Sequence, residues 1–207
     1  MNIAVFASGR GSNLQAILNA IHQGFLPARV TVVLSNNSNA GALEIARLHK
    51  IPAVHLSQIQ FPSEDAYVET MLAVLQQHGV ELIALAGYMK KLPRRLIEKF
   101  QNRILNIHPA LLPAFGGKGM YGHYVHEAVI ASGANFSGAT VHLVDEEYDR
   151  GPIVMQQTVH IEKTDTPETL AAKVLQIEHK LYVEALKAFA EQRVVIKERN
   201  VWIHSHN

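Results

Sequence analysis

The chain has 207 residues, 19 basic against 18 acidic side chains for a net charge of +1, and no cysteine. That balance excludes the basic field that nucleic acid or an anionic membrane surface demands, and the missing thiols exclude disulfides, thiolate zinc sites and a cysteine nucleophile. No basic leader opens the chain and no apolar run reaches membrane length, so the expectation is a cytoplasmic α/β protein outside any membrane.

Ile3–Ala7 is a short apolar run ending at a glycine turn and reads as a buried parallel strand. Leu14, Ile17, Leu18 and Ile21 follow with the spacing of one helix face, closed by Gly24. Val30–Leu34 is a second strand, Ala42–Leu48 a helix ended by Pro52, and Ala53–Leu56 a third strand. Ser63 caps a helix whose first turn holds Glu64 and Asp65, and which turns Tyr67, Val68, Met71, Leu72 and Leu75 inward before stopping at Gly79. Leu82–Ala86, a helix over Arg94–Phe100 and Ile104–Ile107 complete an alternation that predicts a doubly wound, mostly parallel sheet. The second half differs. Val125–Ile130 reads as a helix, and Ala139–Val144 with Ile153–Ile161 as a strand pair of mixed sense. Thr166 caps a long helix from Pro167, with Leu170, Val174, Ile177, Leu181 and Leu186 on one face, and Val194–Ile196 is a last edge strand. No linker or repeat interrupts the chain, so residues 1–207 are expected to form a single domain.

Three stretches carry chemistry. Ser8-Gly9-Arg10-Gly11-Ser12-Asn13 joins the first strand to the first helix, and its backbone N–H groups suit an anion at the helix start. It is not a dinucleotide fingerprint: the third glycine position is Leu14, and the second strand ends Ser35-Asn36-Asn37 without the acid expected about twenty positions on. A phosphate monoester held by N–H groups and Ser12 fits better; the plain alternative is a turn capped by Ser12. In Leu105-Asn106-Ile107-His108-Pro109-Ala110-Leu111-Leu112-Pro113, Asn106 and His108 are two apart and leave one face of an extended segment. Pro109 and Pro113 end the strand there. An amide and an imidazole so placed can stabilise a carbonyl oxyanion and pass a proton. Val144-Asp145-Glu146-Glu147-Tyr148-Asp149-Arg150-Gly151-Pro152 holds four acids between two strands; a carboxylate from it beside His108 should raise the imidazole's pKa. Other features read as structural: His123 and His126 lack a carboxylate to complete a metal set, Met71, Met89 and Met155 fill core, and the His204-Ser205-His206 tail is frayed.

Taken together, Ser8-Gly9-x-Gly11-Ser12-Asn13-Leu14, Leu85-Ala86-Gly87-Tyr88-Met89, Asn106-Ile107-His108-Pro109 with Leu111-Leu112-Pro113, Val141-His142, Asp149 before Gly151-Pro152, and Glu178-His179 with Tyr182 resemble the folate-dependent glycinamide ribonucleotide formyltransferases of purine biosynthesis. Methionyl-tRNA formyltransferases and formyltetrahydrofolate hydrolases share Asn-x-His-Pro. The first would bring a basic surface, and both would bring further domains.

The resemblance implies a Rossmann-like formyltransferase fold, with residues 1–100 as its phosphate-binding half and 101–207 as its catalytic and folate-binding half. It implies that Gly11, Ser12 and Asn13 hold the ribotide phosphate and Glu178 its ribose or amine side. Met89, Lys90, Lys91, Leu92, Asn106, Val144, Asp145 and Asp149 would contact the folate of 10-formyltetrahydrofolate, the co-substrate. Asn106 and a protonated His108 would stabilise the oxyanion, and Asp149 rather than Asp145 would hold His108 cationic and relay the proton, with no metal required. Partners are then small molecules only, the protein being a monomer or homodimer. Where the family often has a basic residue near the folate tail this chain has Glu64, leaving Lys90 or Lys91 to supply the charge; Lys118 is the one cation of the glycine-rich Gly116–Gly122 loop.

Overall fold

The computed structural model describes residues 1–205 and divides the chain into two compact units, Met1–Leu105 and Asn106–Asn207 by chain position. In the first unit β1 (Asn2–Phe6), β2 (Arg29–Ser35), β3 (Ala53–His55) and β4 (Leu82–Leu85) alternate with α1 (Ser12–His22), α2 (Gly41–Leu48), α3 (Glu64–Gln77) and α4 (Arg94–Lys99). The strands lie in the order β3-β2-β1-β4, and each neighbouring pair is parallel. Helices on both faces explain why these strands are apolar throughout rather than alternating: Ile3, Ala4, Val5, Phe6, Val32 and Val33 are all fully buried. Each such valine, isoleucine or phenylalanine contributes about 1.5–3 kcal/mol by leaving water. Ser63 caps α3 as predicted, its Oγ accepting the Ala66 N–H at 3.2 Å. Leu72, predicted inward, is half-buried because the helix face passes through Val68, Met71 and Leu75 instead.

Chain order and strand order together locate a crevice. The chain leaves β1 to build β2 on one side and later β4 on the other, so the loops after β1 and β4 part at the carboxyl ends of adjacent strands. The loop after β1 is Ala7–Gly11, and the loop after β4 begins at Ala86.

β5 (Ile104–His108) carries the chain into the second unit, where α5 (His123–Ala131), β6 (Phe136–Leu143), β7 (Ile153–His160) and α6 (Pro167–Ala190) follow. The strand order here is β5-β6-β7, with β6 and β7 antiparallel, so the predicted mixed pairing is present. Their register slips between Val141 and His142, an irregularity of the kind that re-aims a side chain. Thr166 and Thr169 form a reciprocal capping box ahead of Pro167: Thr166 Oγ1 accepts the Thr169 N–H and Thr169 Oγ1 accepts the Thr166 N–H. The buried stripe of α6 runs Leu170, Val174, Glu178, Leu181 and Ala185. It passes through Glu178 where Ile177 was expected, and Ile177 is only half-buried.

Three expectations need correction. Val194–Ile196 is not an edge of the main sheet: β8 (Val194–Lys197) pairs only with β9 (Asn200–Ile203), as a separate two-stranded sheet. The tail is not frayed at His204, whose N–H donates to Arg193 O at 3.0 Å and whose carbonyl accepts from Arg193 Nη1 at 2.8 Å. His206 lies outside the described residues. Met71 is buried as core, but Met89 is 49% exposed and fills nothing.

Candidate active site

In the first unit Gly11 stands at the N-cap of α1 with φ +86°, a left-handed conformation that glycine adopts freely. A Cβ there would lie 2.8 Å from Ala42 Cα, so Gly11 is also required by the close approach of α2. Ser12 is the first helical residue and no side chain caps α1. The plain reading of Ser12 as a cap is therefore overturned, and the helix opens with no side-chain cap and without an acid in its first turn. Such an end favours an anion. Asn13 is buried one residue further on.

The loop after β4 presents Met89, Lys90 and Lys91 to solvent and buries Leu92. Met89 N–H donates to Ser8 Oγ at 2.8 Å. It is therefore committed within the protein.

The second unit assembles the predicted trio. Asn106 and His108 both lie on β5, two residues apart as expected. The loop beyond them, barred from strand pairing by Pro109 and Pro113, is clamped by β6 and β7. Buried Thr140 donates its hydroxyl to Ala110 O at 2.6 Å and accepts Leu112 N–H at 3.0 Å. Gln156, opposite Thr140 in the ladder, donates to both Leu112 O and Thr140 Oγ1 at 2.9 Å. These bonds replace those a strand would have supplied, and they fix the segment from which the His108 ring projects.

His108 and Asp149 come together: Nδ1 of the ring lies 3.6 Å from Asp149 Oδ2, with side chains 4% and 11% exposed. His108 Nε2 lies 2.8 Å from Phe115 O. A carbonyl only accepts, so Nε2 carries the proton and Nδ1 turns its lone pair toward the carboxylate. Asp149 takes φ +55°, a left-handed backbone that aspartate tolerates better than most residues, and its Oδ2 also accepts Gly117 N–H at 2.9 Å. Burial pushes the Asp149 carboxyl up, but His142, His108 and the Gly117 N–H outweigh it and hold it below the usual aspartate range.

The expected rise in the His108 pKa does not occur. Burial is the largest influence and drives it below the ordinary histidine value; Asp149 and the Phe115 carbonyl pull it back only in part, and His142 lowers it further. The reason is geometric: 3.6 Å is too long for a direct hydrogen bond, whereas desolvation of the ring is nearly complete.

Sequence reasoning assigned no role to His142, although it stood in the quoted Val141-His142 pair. Its side chain is 2% exposed, and its Nε2 lies 3.6 Å from Asp149 Oδ1. The Leu143 carbonyl 2.8 Å from Nδ1 places that ring's proton on Nδ1. Nε2 is then free to accept from Asn106 Nδ2 at 3.0 Å. His142 thus fixes which way the Asn106 amide faces. A histidine between Val141 and Leu143 in a predicted strand was the available signal.

The remaining sequence-predicted residues are dispersed or local. Asp145 closes its own turn, accepting the Glu147 N–H at 3.0 Å, and Val144 is half-buried beside it. Glu178 is buried on α6, and Lys118 is exposed. His123 does have carboxylate neighbours, Glu127 at 3.0 Å and Glu168 at 3.6 Å. Among the described residues, however, no group of three histidine or acidic side chains could hold a metal ion.

His126, 5% exposed, has an Nδ1 without a hydrogen-bond partner among the described residues. Burial first, and then the charges of His123 and His108, lower its pKa to about 4. An unfolded chain takes that proton near pH 6.5 and the folded one refuses it until about pH 4, so stability falls as the pH drops through this window, by about 3 kcal/mol at most. Thermal melts at pH 7.5 and 4.5 should show a smaller acid-induced loss in His126→Gln than in the parent chain. Equal losses would contradict the assignment.

The sequence pattern of the formyl transferase family matches residues 1–186. The chain is 46% identical over 200 residues to the chloroplastic phosphoribosylglycinamide formyltransferase of Arabidopsis thaliana, covering 96% of this chain and 68% of that protein. It is 37% identical to the phosphoribosylglycinamide formyltransferase of Haemophilus influenzae, covering 97% of this chain and 92% of that one. In three dimensions it is similar to glycinamide ribonucleotide transformylase 1 from Symbiobacterium toebii, with a TM-score of 0.93, 41% identity, and coverage of 99% and 94% of the two chains.

Proposed function

The chain belongs to the formyl transferase family, and from that premise we propose how its own residues carry the reaction. That reaction moves the formyl group of 10-formyltetrahydrofolate to the amine of glycinamide ribonucleotide, in purine biosynthesis. One observation carries the assignment of roles. His108 has one ring nitrogen closed on a backbone carbonyl and the other open beside an ionised, part-buried carboxylate.

Attack by the neutral amine forms a C–N bond, leaving the amine nitrogen cationic and the formyl oxygen anionic. Asn106, with one amide hydrogen held by His142, directs the other to that oxygen. His108 Nδ1 accepts the proton from the new ammonium and returns it to the folate N10, whose bond to the formyl carbon then breaks. Between those two events the ring is an imidazolium, and Asp149 stabilises it at 3.6 Å without itself taking the proton. A lowered resting pKa serves this role, because a neutral ring is ready to accept at neutral pH.

Binding falls to other groups. Gly11, Ser12 and Asn13 take the ribotide phosphate, and the buried carboxylate of Glu178 takes its ribose or amine side. Lys90, Lys91 and Leu92 with Val144 and Asp145 take the folate. The protein acts in the cytoplasm on small molecules, as a monomer or homodimer. Among the described residues no helix is long and apolar enough to cross a membrane.

The experiment is direct: follow the loss of 10-formyltetrahydrofolate on adding glycinamide ribonucleotide. Turnover that requires the ribotide supports the reading. Loss of the formyl group at the same rate without ribotide would point to the hydrolase chemistry instead.

A further inference from the structure

We propose that Ser8 is a positioning residue for the folate, acting through the backbone of the segment that begins at Met89. This rests on the reading of Lys90–Leu92 as folate-binding. Ser8 is the second residue beyond β1, after Ala7, and lies in the loop where the β1 and β4 connections part. Its hydroxyl links two different strand ends: Oγ donates to Asn36 Oδ1, just past β2, at 2.5 Å, and accepts Met89 N–H, past β4, at 2.8 Å. A hydroxyl has one donor hydrogen, so the Asn36 carbonyl fixes its direction and leaves a lone pair aimed at Met89. Asn36 occupies the end of β2, where a dinucleotide site carries an acid for a ribose. Here its side chain is turned to Ser8 instead, which gives a use to a residue that the motif comparison left unexplained.

The Ser8 backbone is anchored separately. Ser8 N–H donates to Gly87 O at 3.0 Å, and Asn37 Nδ2 donates to Ser8 O at 3.4 Å. Tyr88 is also held without Ser8 Oγ, its ring edge-on to Phe6 at 5.4 Å and its hydroxyl 3.3 Å from that of Tyr67. Removing Oγ therefore leaves the β1 loop and the start of the β4 loop in place. What it frees is the Met89 N–H, and with it the orientation of the peptide leading into Lys90. The effect falls on the folate and spares the phosphate loop that Ser8 itself begins.

Steady-state kinetics with both substrates varied, and calorimetric titration with tetrahydrofolate, test this on Ser8→Ala, Ser8→Thr and Asn36→Ala. For Ser8→Ala the expected result is a five- to tenfold rise in the KM for 10-formyltetrahydrofolate and in the tetrahydrofolate Kd, as for one lost hydrogen bond. The ribotide KM should stay within about twofold. Ser8→Thr, which keeps the hydroxyl, should restore most of the loss, and Asn36→Ala should move the folate constants in the same direction by less. Folate constants within twofold of the parent, or equal rises for both substrates, would overturn the proposal. Parent protein that binds tetrahydrofolate without transferring a formyl group would overturn the proposed function alone, since the titration still decides the role of Ser8.

Discussion

His108→Ala is expected to lower kcat by at least about a hundredfold while changing either KM only a few-fold, because it removes the group that carries the proton and not a binding contact. Alanine also empties a buried volume and leaves the Phe115 carbonyl without its donor. His108→Gln separates these effects: its amide can still donate to Phe115 O, but it cannot cycle a proton at neutral pH. Both variants should fail alike in kcat, with His108→Gln the more stable to heat. A glutamine variant turning over near the parent rate would remove His108 from the proton path and leave it a structural role.

Asp149→Asn should lower kcat by about 10²–10³-fold and shift the pH–rate profile as well. Its backbone consequence is small, since asparagine tolerates the left-handed φ of +55° and its carbonyl can still accept Gly117 N–H. What disappears is the charge that raises the His108 pKa against burial. Without it the imidazolium is less favoured, so the pKa falls further and the acid limb of kcat/KM moves to lower pH. The parent limb itself should lie below the ordinary histidine value, with activity lost as the pH drops through it. A limb that stayed in place, or moved to higher pH, would show that Asp149 does not tune His108.

The parts of this site that depend on local pattern were legible in the sequence. Asn106 and His108 share a face because a strand repeats every two residues, and the prolines beyond them announced the end of that strand. The caps at Ser63 and Thr166 were readable from residue type, and the parallel strands from their unbroken apolar runs. What stayed hidden depends on placement across the chain. The slip between Val141 and His142 is a single-residue event that periodicity cannot register, and it accompanies a second imidazole beside Asp149. The sign of the His108 shift required knowing that desolvation is nearly complete while the carboxylate stands beyond hydrogen-bond distance. The β8–β9 hairpin escaped because its turn runs through Glu198 at φ +55°, with no Asn-Gly to mark it.

The connection bearing Asp149 is closed at its neck. Leu143 N–H donates to Pro152 O at 2.8 Å, and Gly151 lies so near the Leu143 carbonyl that any added Cβ would stand 1.8 Å from that oxygen. The segment between behaves as a cassette clipped into a rigid frame. Its tip, Glu146–Tyr148, faces solvent, so an exposed surface turn and the fixed address of one carboxylate coexist within a few residues of chain.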